Sequence, residues 1–248
     1  MKSRSFRVTF LIVVGVLFLS VSSVYAETAE EHYNSGIAYG RQGNLPQAIS
    51  DFTKAIEINP KYAEAYYSRG GAYRMQRNYA QAISDFTRAI EINPNYAEAY
   101  YNRGIAYDDE GNYDQAISDC NKAIEINPND AEAYNSRATV YINRGDFTKA
   151  ISDFNKALEI NPGYAEAYCN RGIVYTGQGD FIQAISDFNK ALEVKPNYAA
   201  AYYNRGVVYF GQKDFAKAWE DVHKAEELGA AVNPDFLNDL KKSSGRDK

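Results

Sequence analysis

Few residues in this chain of 248 could act as nucleophiles, bases or metal ligands. It contains two histidines, His32 and His223, and two cysteines, Cys120 and Cys169. Covalent catalysis needs a nucleophile beside a positioned base, and a zinc centre needs several histidine or cysteine ligands at one point. The histidines lie near opposite ends of the chain, and no glycine-rich phosphate loop or Gly-x-Ser-x-Gly elbow occurs. We expect a protein that is not an enzyme and that binds no metal or cofactor.

Three consecutive acidic residues, Asp108, Asp109 and Glu110, end a predicted helix. Negative charge at a helix C-terminus opposes the helix dipole and needs some compensation. A solvated helix end is the simplest interpretation, while a basic partner or a weakly held Ca²⁺ would give the acids a function. Residues 108–114 lack the ligand spacing of an EF-hand loop, so calcium is the minor alternative.

Charge and composition exclude several classes of protein. Lys and Arg number 27 against 32 Asp and Glu, which gives a net charge of −5 and argues against a basic nucleic-acid surface. Hydrophobic residues make up 45% of the chain, too many for a disordered protein. Tyrosine is unusually common, at 22 residues, and its positions have to be explained.

Residues 1–26 have the pattern of a secretory signal peptide. Lys2, Arg4 and Arg7 precede an apolar run over 8–19, and small residues flank a cleavage site after Ala26. Cleavage would change the net charge from −5 to −8 and leave a protein in the periplasm or outside the cell. The alternative is an uncleaved membrane anchor, although Ser20, Ser22 and Ser23 interrupt the roughly 20 apolar residues that a span needs.

A period of 34 residues organises the rest of the chain. Prolines recur at this interval at 60, 94, 128, 162 and 196, and tyrosines at 39, 73, 107, 141, 175 and 209. The units are 29–62, 63–96, 97–130, 131–164, 165–198 and 199–232, and 233–248 forms a capping helix and polar tail. In each unit apolar and small residues follow two helical periods joined by a turn, and an Asn-Pro or Lys-Pro pair ends the second helix. One hairpin cannot bury both its faces, so the units must stack.

The third unit carries a recognisable motif: Tyr100, Asn102, Arg103, Gly104, Tyr107, Ala116, Cys120, Ala123 and Pro128. With its equivalents in the other units, this motif resembles the tetratricopeptide repeat family, and the resemblance covers 29–232. The resemblance implies an all-α fold, a right-handed superhelical solenoid of six tandem helix-turn-helix hairpins plus a C-terminal capping helix. It also implies a protein or peptide partner in a concave groove lined by the first helix of each hairpin, and we expect a monomer.

The family's groove positions are 2, 5, 6, 9, 12 and 13 of each unit. They give a polar early part and an apolar late part, suited to an extended peptide, and they lack the repeated Lys or Arg that would grip a terminal carboxylate. Of the 21 tyrosines after residue 26, 17 fall on packing or junction positions, and Tyr33, Tyr67, Tyr101 and Tyr203 fall on groove position 5. The candidate groove residues are Tyr67, Arg74, Tyr101, Asn102, Ile105, Asp108, Asp109, Asn135, Asn170, Ile173, Tyr203, Asn204, Val207 and Phe210.

Glutamate recurs at position 2, at Glu30, Glu64, Glu98, Glu132 and Glu166. An acidic rim of this kind could select a basic partner. The structural alternative is a favourable charge in the first helical turn, where the helix dipole is positive.

Aspartate stands at position 23 of all six units, and arginine stands at position 7 of every unit except the first. Because unit one has Ser35 there and no preceding unit, we predict that each arginine pairs with the aspartate of the unit before it. The predicted pairs are Asp51–Arg69, Asp85–Arg103, Asp119–Arg137, Asp153–Arg171 and Asp187–Arg205, which leaves Asp221 unpaired.

Cys120 replaces a core phenylalanine, and Cys169 falls on a groove position two units later. The hairpin between them separates the thiols by more than the roughly 7 Å that a disulfide allows between Cα atoms. We expect two free thiols, one buried and inert and one that could be accessible.

The sequence therefore predicts a non-enzymatic scaffold that binds a peptide or protein segment in the periplasm or outside the cell. A self-associating structural module and a membrane-tethered assembly factor are the alternatives.

Overall fold

The computed structural model describes residues 27–245, so the predicted signal peptide and the last three residues lie outside the described part of the chain. Residues 27–245 form thirteen α-helices and no strands. The helices are α1 (Ala29–Arg41), α2 (Leu45–Ile58), α3 (Ala63–Met75), α4 (Tyr79–Ile92), α5 (Ala97–Asp109), α6 (Tyr113–Ile126), α7 (Ala131–Arg144), α8 (Phe147–Ile160), α9 (Ala165–Gly177), α10 (Phe181–Val194), α11 (Ala199–Gly211), α12 (Phe215–Glu227) and α13 (Pro234–Ser244).

Turn chemistry sets the length of each hairpin. Between the two helices of every unit, position 15 has a positive φ, which glycine tolerates best. Glycine fills four of these six positions, and Arg77 (φ 60°) and Lys213 (φ 64°) fill the other two. An Asn or Asp side chain then accepts a bond from the backbone N–H three residues on and starts the second helix in five units, as Asp146 does for Lys149.

Small residues at position 8 let the paired helices approach closely. A Cβ added to Gly70 would lie 2.9 Å from Phe86 Cε1, and one added to Gly172 would lie 2.8 Å from Phe188 Cε1. The rings of Phe86 and Phe188 are fully buried in the space that the glycines leave. The hairpins are therefore packed at the density of a protein interior, and their apolar faces continue into the next unit.

The units share one continuous core. One cluster joins Ala150, Phe154 and Leu158 of unit four to Ala167 and Val174 of unit five. Each second helix packs on the first helix of the next unit, and first helices of consecutive units also touch each other. Second helices of consecutive units make no comparable contacts between residues 27 and 245. The first helices consequently lie on the inside of the curve, and the predicted all-α solenoid is confirmed.

The helix α13 covers the end of unit six. Leu240 is fully buried among Trp219 and Val222, and Trp219 Nε1 donates to Ser244 Oγ at 3.1 Å. Phe236 meets Phe210 edge-on with ring centroids 5.4 Å apart. This helix therefore shields the apolar face that unit six would otherwise expose to water.

The predicted pairing of arginine with the preceding unit's aspartate is wrong. Each arginine bonds the aspartate of its own hairpin, 16 residues later, through two N–H groups; Arg103 Nε and Nη2 reach Asp119 at 2.7 and 2.8 Å. The same geometry holds for Arg69–Asp85, Arg137–Asp153, Arg171–Asp187 and Arg205–Asp221, so Asp221 has a partner. Asp51 has no arginine and accepts from Ser35 Oγ instead.

The third side of each guanidinium explains why unit one differs. Arg69 Nη1 donates to Thr53 Oγ1 and Arg103 Nη1 to Thr87 Oγ1, both at 2.9 Å and both across a unit boundary. Later arginines donate in the same way to Asn121, Asn155 and Asn189. Arginine at position 7 therefore does cross to the previous unit, but to position 25 and not to position 23. Unit one has no previous unit, so this cross-boundary bond has no acceptor there.

Both cysteines are buried, which corrects the expectation that Cys169 could be accessible. Cys169 is 1% exposed and Cys120 is fully buried. Burial raises the pKa of the Cys169 thiol to about 11 and that of the Cys120 thiol to about 12. A thiol with such a pKa is protonated at neutral pH and is therefore a poor nucleophile.

We predict that Arg103→Met is strongly destabilising, because Asp119 is only 5% exposed and would keep its charge without a partner. Breaking a buried pair in this way costs about 3–5 kcal/mol. The matched control is Arg88→Met, which removes an exposed pair with Glu91 worth about 0–1 kcal/mol. Thermal unfolding followed by circular dichroism checks both, and equal losses would contradict the structural role of Arg103.

We also predict that a small thiol reagent added to the native protein at neutral pH labels neither cysteine within the time that labels a free thiol. In denaturant both thiols should react at once. Mass spectrometry of the labelled protein gives the count. Rapid labelling of Cys169 in the folded protein would show that α9 opens locally.

Candidate interaction surface

The first helices of the six units, α1, α3, α5, α7, α9 and α11, form the inner side of the solenoid, which we call the concave surface. Its repeat spacing brings positions 5 and 6 of neighbouring units together, 35 residues apart in sequence. The concave surface therefore consists of rows that run from unit to unit, and each row can be followed along the array.

The first row joins position 5 of one unit to position 6 of the next. Asn102 Nδ2 donates to the Tyr67 hydroxyl at 3.0 Å, and Ser136 Oγ donates to the Tyr101 hydroxyl at 3.2 Å. Further along, Asn170 Nδ2 donates to Asn135 Oδ1 at 3.5 Å. Six candidate groove residues, Tyr67, Tyr101, Asn102, Asn135, Asn170 and Asn204, belong to this row, where Asn204 approaches Cys169. Their hydrogen bonds fix the spacing between units.

The second row joins position 12 to position 13 of the next unit and includes the acidic residues Asp108 and Asp109. Asn143 Nδ2 donates to both carboxylate oxygens of Asp108, at 3.0 and 2.9 Å. Arg74 Nη1 lies 3.6 Å from Asp109 Oδ2. Burial raises the pKa of Asp108, the hydrogen bond from Asn143 opposes that rise, and the charge of Asp109 adds to it. These neighbours supply the compensation that acids at a helix end need.

The apolar part of the concave surface is partly closed by α13. Tyr203 meets Phe236 edge-on at 5.8 Å, and Phe210 packs against Phe215 and Phe236. Ile105 and Val207 are half-buried, whereas Ile173 is 44% exposed. Ile173 is therefore the most open apolar side chain among the candidate groove residues.

The acidic rim, defined as Glu30, Glu64, Glu98, Glu132 and Glu166, is exposed throughout. Within residues 27–245 none of these glutamates forms an ion pair. The tyrosines that precede α3, α5, α9 and α11 make no side-chain cap, so a charge in the first turn is useful to the helix as well. Burial raises the pKa of Tyr96, and the charges of Glu64 and Glu98 contribute to the rise. The rim is thus both unpaired and partly structural.

Sequence reasoning missed the partners within each row. Ser68, Ser136 and Asn143 were not among the candidates, although each stands one unit plus one residue after the side chain that it bonds. Met75, which is 65% exposed at position 13 of unit two, was also missed. The offset of 35 residues, one more than the period, was the signal that could have found the row partners.

No helix of residues 27–245 is both long and apolar enough to cross a membrane. Over the same residues no group of His, Cys, Asp and Glu side chains is arranged to hold a metal ion.

Comparison with known proteins identifies the family. Models described as tetratricopeptide repeat match residues 33–97, 97–130, 129–197 and 163–229. No curated protein matched the sequence.

Solved structures agree with the family models. The chain is similar to MamA, at 30% identity over 66% of this chain and 96% of MamA, with a TM-score of 0.59. It is also similar to YrrB, described as a TPR protein with an unusual peptide-binding site, at 27% identity over 78% of this chain and 97% of YrrB, with a TM-score of 0.57. A tetratricopeptide repeat protein from Parabacteroides merdae ATCC 43184 shares the fold at 24% identity, with 96% of each chain covered and a TM-score of 0.70. The chain belongs to the tetratricopeptide repeat family.

Proposed function

We propose that this protein is a non-enzymatic scaffold that holds a segment of another protein against its concave surface. The family and the solenoid fold support a role in protein–protein interaction. One observation carries the finer proposal: the hydrogen-bonded rows fix the spacing of the first helices, so the surface is formed before any partner arrives. A preformed surface spends little binding free energy on reorganisation.

The chemistry of the surface suits a segment that is basic over most of its length and apolar at one end. The acidic rim follows units one to five and ends at unit six, where Ala200 replaces glutamate. Unpaired carboxylates at this spacing attract lysine or arginine and speed association. Ile173, beside the half-buried Val207, offers an apolar contact near the far end.

We further propose that the protein acts in the periplasm or outside the cell. Support comes from the sequence of residues 1–26, which carries a basic start, an apolar run and a cleavage site after Ala26. Intact-mass measurement of exported protein tests the location and the cleavage together. A chain that starts at Glu27 agrees with the proposal, and one that starts at Met1 in a membrane fraction would instead favour a tethered scaffold.

We predict that Ile173→Asp abolishes capture of the partner, because the substitution places a charge in the apolar contact. The matched control is Ile182→Asp, since Ile182 is 78% exposed but lies on a second helix, away from the concave surface. Crosslinking capture from envelope extract, followed by quantitative mass spectrometry, compares both with wild type. Proteins lost from the Ile173→Asp sample and retained with Ile182→Asp are the partners, and identical capture by all three would contradict concave binding.

We predict that Glu98→Gln with Glu132→Gln weakens capture and removes much of its salt dependence, because screening acts on exposed charges. If the acidic rim serves only the helix dipole, the same variant loses about 0.3–1 kcal/mol of stability per site and captures its partner normally. Thermal unfolding and capture at low and high salt separate these outcomes.

A further inference from the structure

The niche around Asp51 in unit one is the place where the repeat leaves a carboxylate without its guanidinium. In units two to six the equivalent aspartate is 3–6% exposed and receives two bonds from an arginine of the same hairpin. Asp51 is buried to the same degree, 5% exposed, and has Ser35 at the arginine position. The buried negative charge has been kept while its usual partner is missing.

The hydrogen bonds of Asp51 are poorer than those of its equivalents. Ser35 Oγ donates to Oδ2 at 2.6 Å, the oxygen that takes the arginine Nε elsewhere. Its Oδ1 receives only Lys54 Nζ, at 3.3 Å, where Asp85 Oδ1 receives Arg69 Nη2 at 2.8 Å. One neutral hydroxyl and one half-exposed ammonium therefore replace a bidentate guanidinium, the stronger partner for a carboxylate.

The side chain of Lys54 gives independent evidence that the niche attracts cations. In units two to six the lysine or arginine at position 26 pairs with the glutamate three residues later: Arg88–Glu91, Lys122–Glu125, Lys156–Glu159, Lys190–Glu193 and Lys224–Glu227. Lys54 instead turns to Asp51. Glu57, its counterpart by repeat position, forms no ion pair in the described part of the chain. The deficit at Asp51 is strong enough to redirect this lysine.

The niche has room for a further group. A cavity of about 240 Å³ lies over Asp51 and Ser35 and is bordered by Glu31, His32 and Tyr39. It opens at the end of the solenoid where no earlier unit stands. The ordinary arginines at this place also lie over the tyrosine at position 4, 5.5–5.7 Å from the ring centroid. Unit one offers the flat ring of His32 there, 3.0 Å from Glu27.

We propose that this niche binds an arginine side chain presented by a protein partner at the N-terminal end of the solenoid. The bound guanidinium would take the place that position 7 fills in the other five units, with two N–H groups on Asp51, and Lys54 would return to Glu57. A lysine fits less well, because its ammonium cannot bond both carboxylate oxygens in the planar, parallel arrangement that a guanidinium adopts. This site is separate from the concave surface and does not depend on it.

The test is a titration of the wild-type protein, monitored by amide NMR shifts, with N-acetyl-arginine amide, N-acetyl-lysine amide and free arginine. Saturable shifts confined to unit one, about tenfold weaker or absent with the lysine compound, are expected. Equal response to both blocked compounds would reduce the niche to a general cation site and overturn the proposal. Tighter binding of free arginine than of the blocked form would assign the niche to a free amino acid instead of a partner side chain.

Two variants sharpen the test. Lys54→Gln removes the competing ammonium and should tighten binding of N-acetyl-arginine amide about twofold to fivefold, the effect of one exposed ion pair. Lys122→Gln, at the same position of unit three, is the matched control and should change nothing. Weaker binding in Lys54→Gln would contradict the exchange of partners at Asp51.

Ser35→Arg should fill the niche from within, raise the melting temperature and abolish binding of N-acetyl-arginine amide. Loss of binding without any rise in melting temperature would still leave the Lys54→Gln comparison decisive. Unchanged binding in Ser35→Arg would show that the shifts arise elsewhere and would overturn the proposal.

Discussion

The arginine at position 7 is the interaction on which the solenoid depends. Each guanidinium holds the buried aspartate of its own hairpin and a side chain of the hairpin before it, as Arg103 does with Asp119 and Thr87. A buried carboxylate without such a partner would be costly, so a hairpin is well formed only when its arginine is in place. Because the same arginine also needs the neighbouring unit, the stability of each unit is coupled to its neighbour, as expected for a repeat protein.

The period of 34 residues was sufficient to predict the fold, because proline, tyrosine and small residues at fixed spacing leave few alternatives to stacked helical hairpins. It was not sufficient to predict the ion pairs. In a repeat, an aspartate 16 residues after an arginine and one 18 residues before it recur equally often, so spacing alone cannot choose between them. The absence of arginine from unit one was read as a missing aspartate partner, when the missing partner is the hydroxyl or amide at position 25.

The candidate site shows a second limit of sequence reasoning. Register placed Tyr67, Asn102 and Asp108 on the concave surface, but it could not show that side chains of adjacent units satisfy one another there. The same rows that could bind a peptide also set the spacing between units, and a sequence pattern looks alike for both roles. What remains available is what the rows do not use: the acidic rim and the exposed side chain of Ile173.

The two ends of the solenoid solve the problem of a missing neighbour differently. At the C-terminal end α13 buries Leu240 and covers Tyr203 and Phe210, so the apolar surface of unit six is closed by the chain itself. At the N-terminal end no helix plays this role, and Asp51 keeps a buried charge served only by Ser35 and Lys54. A hydrophobic end exposed to water invites indiscriminate association, whereas a carboxylate in a small cavity favours a cation of matching shape. This difference closes one end of the array and leaves the other selective, which gives a partner approaching along the solenoid axis a defined direction.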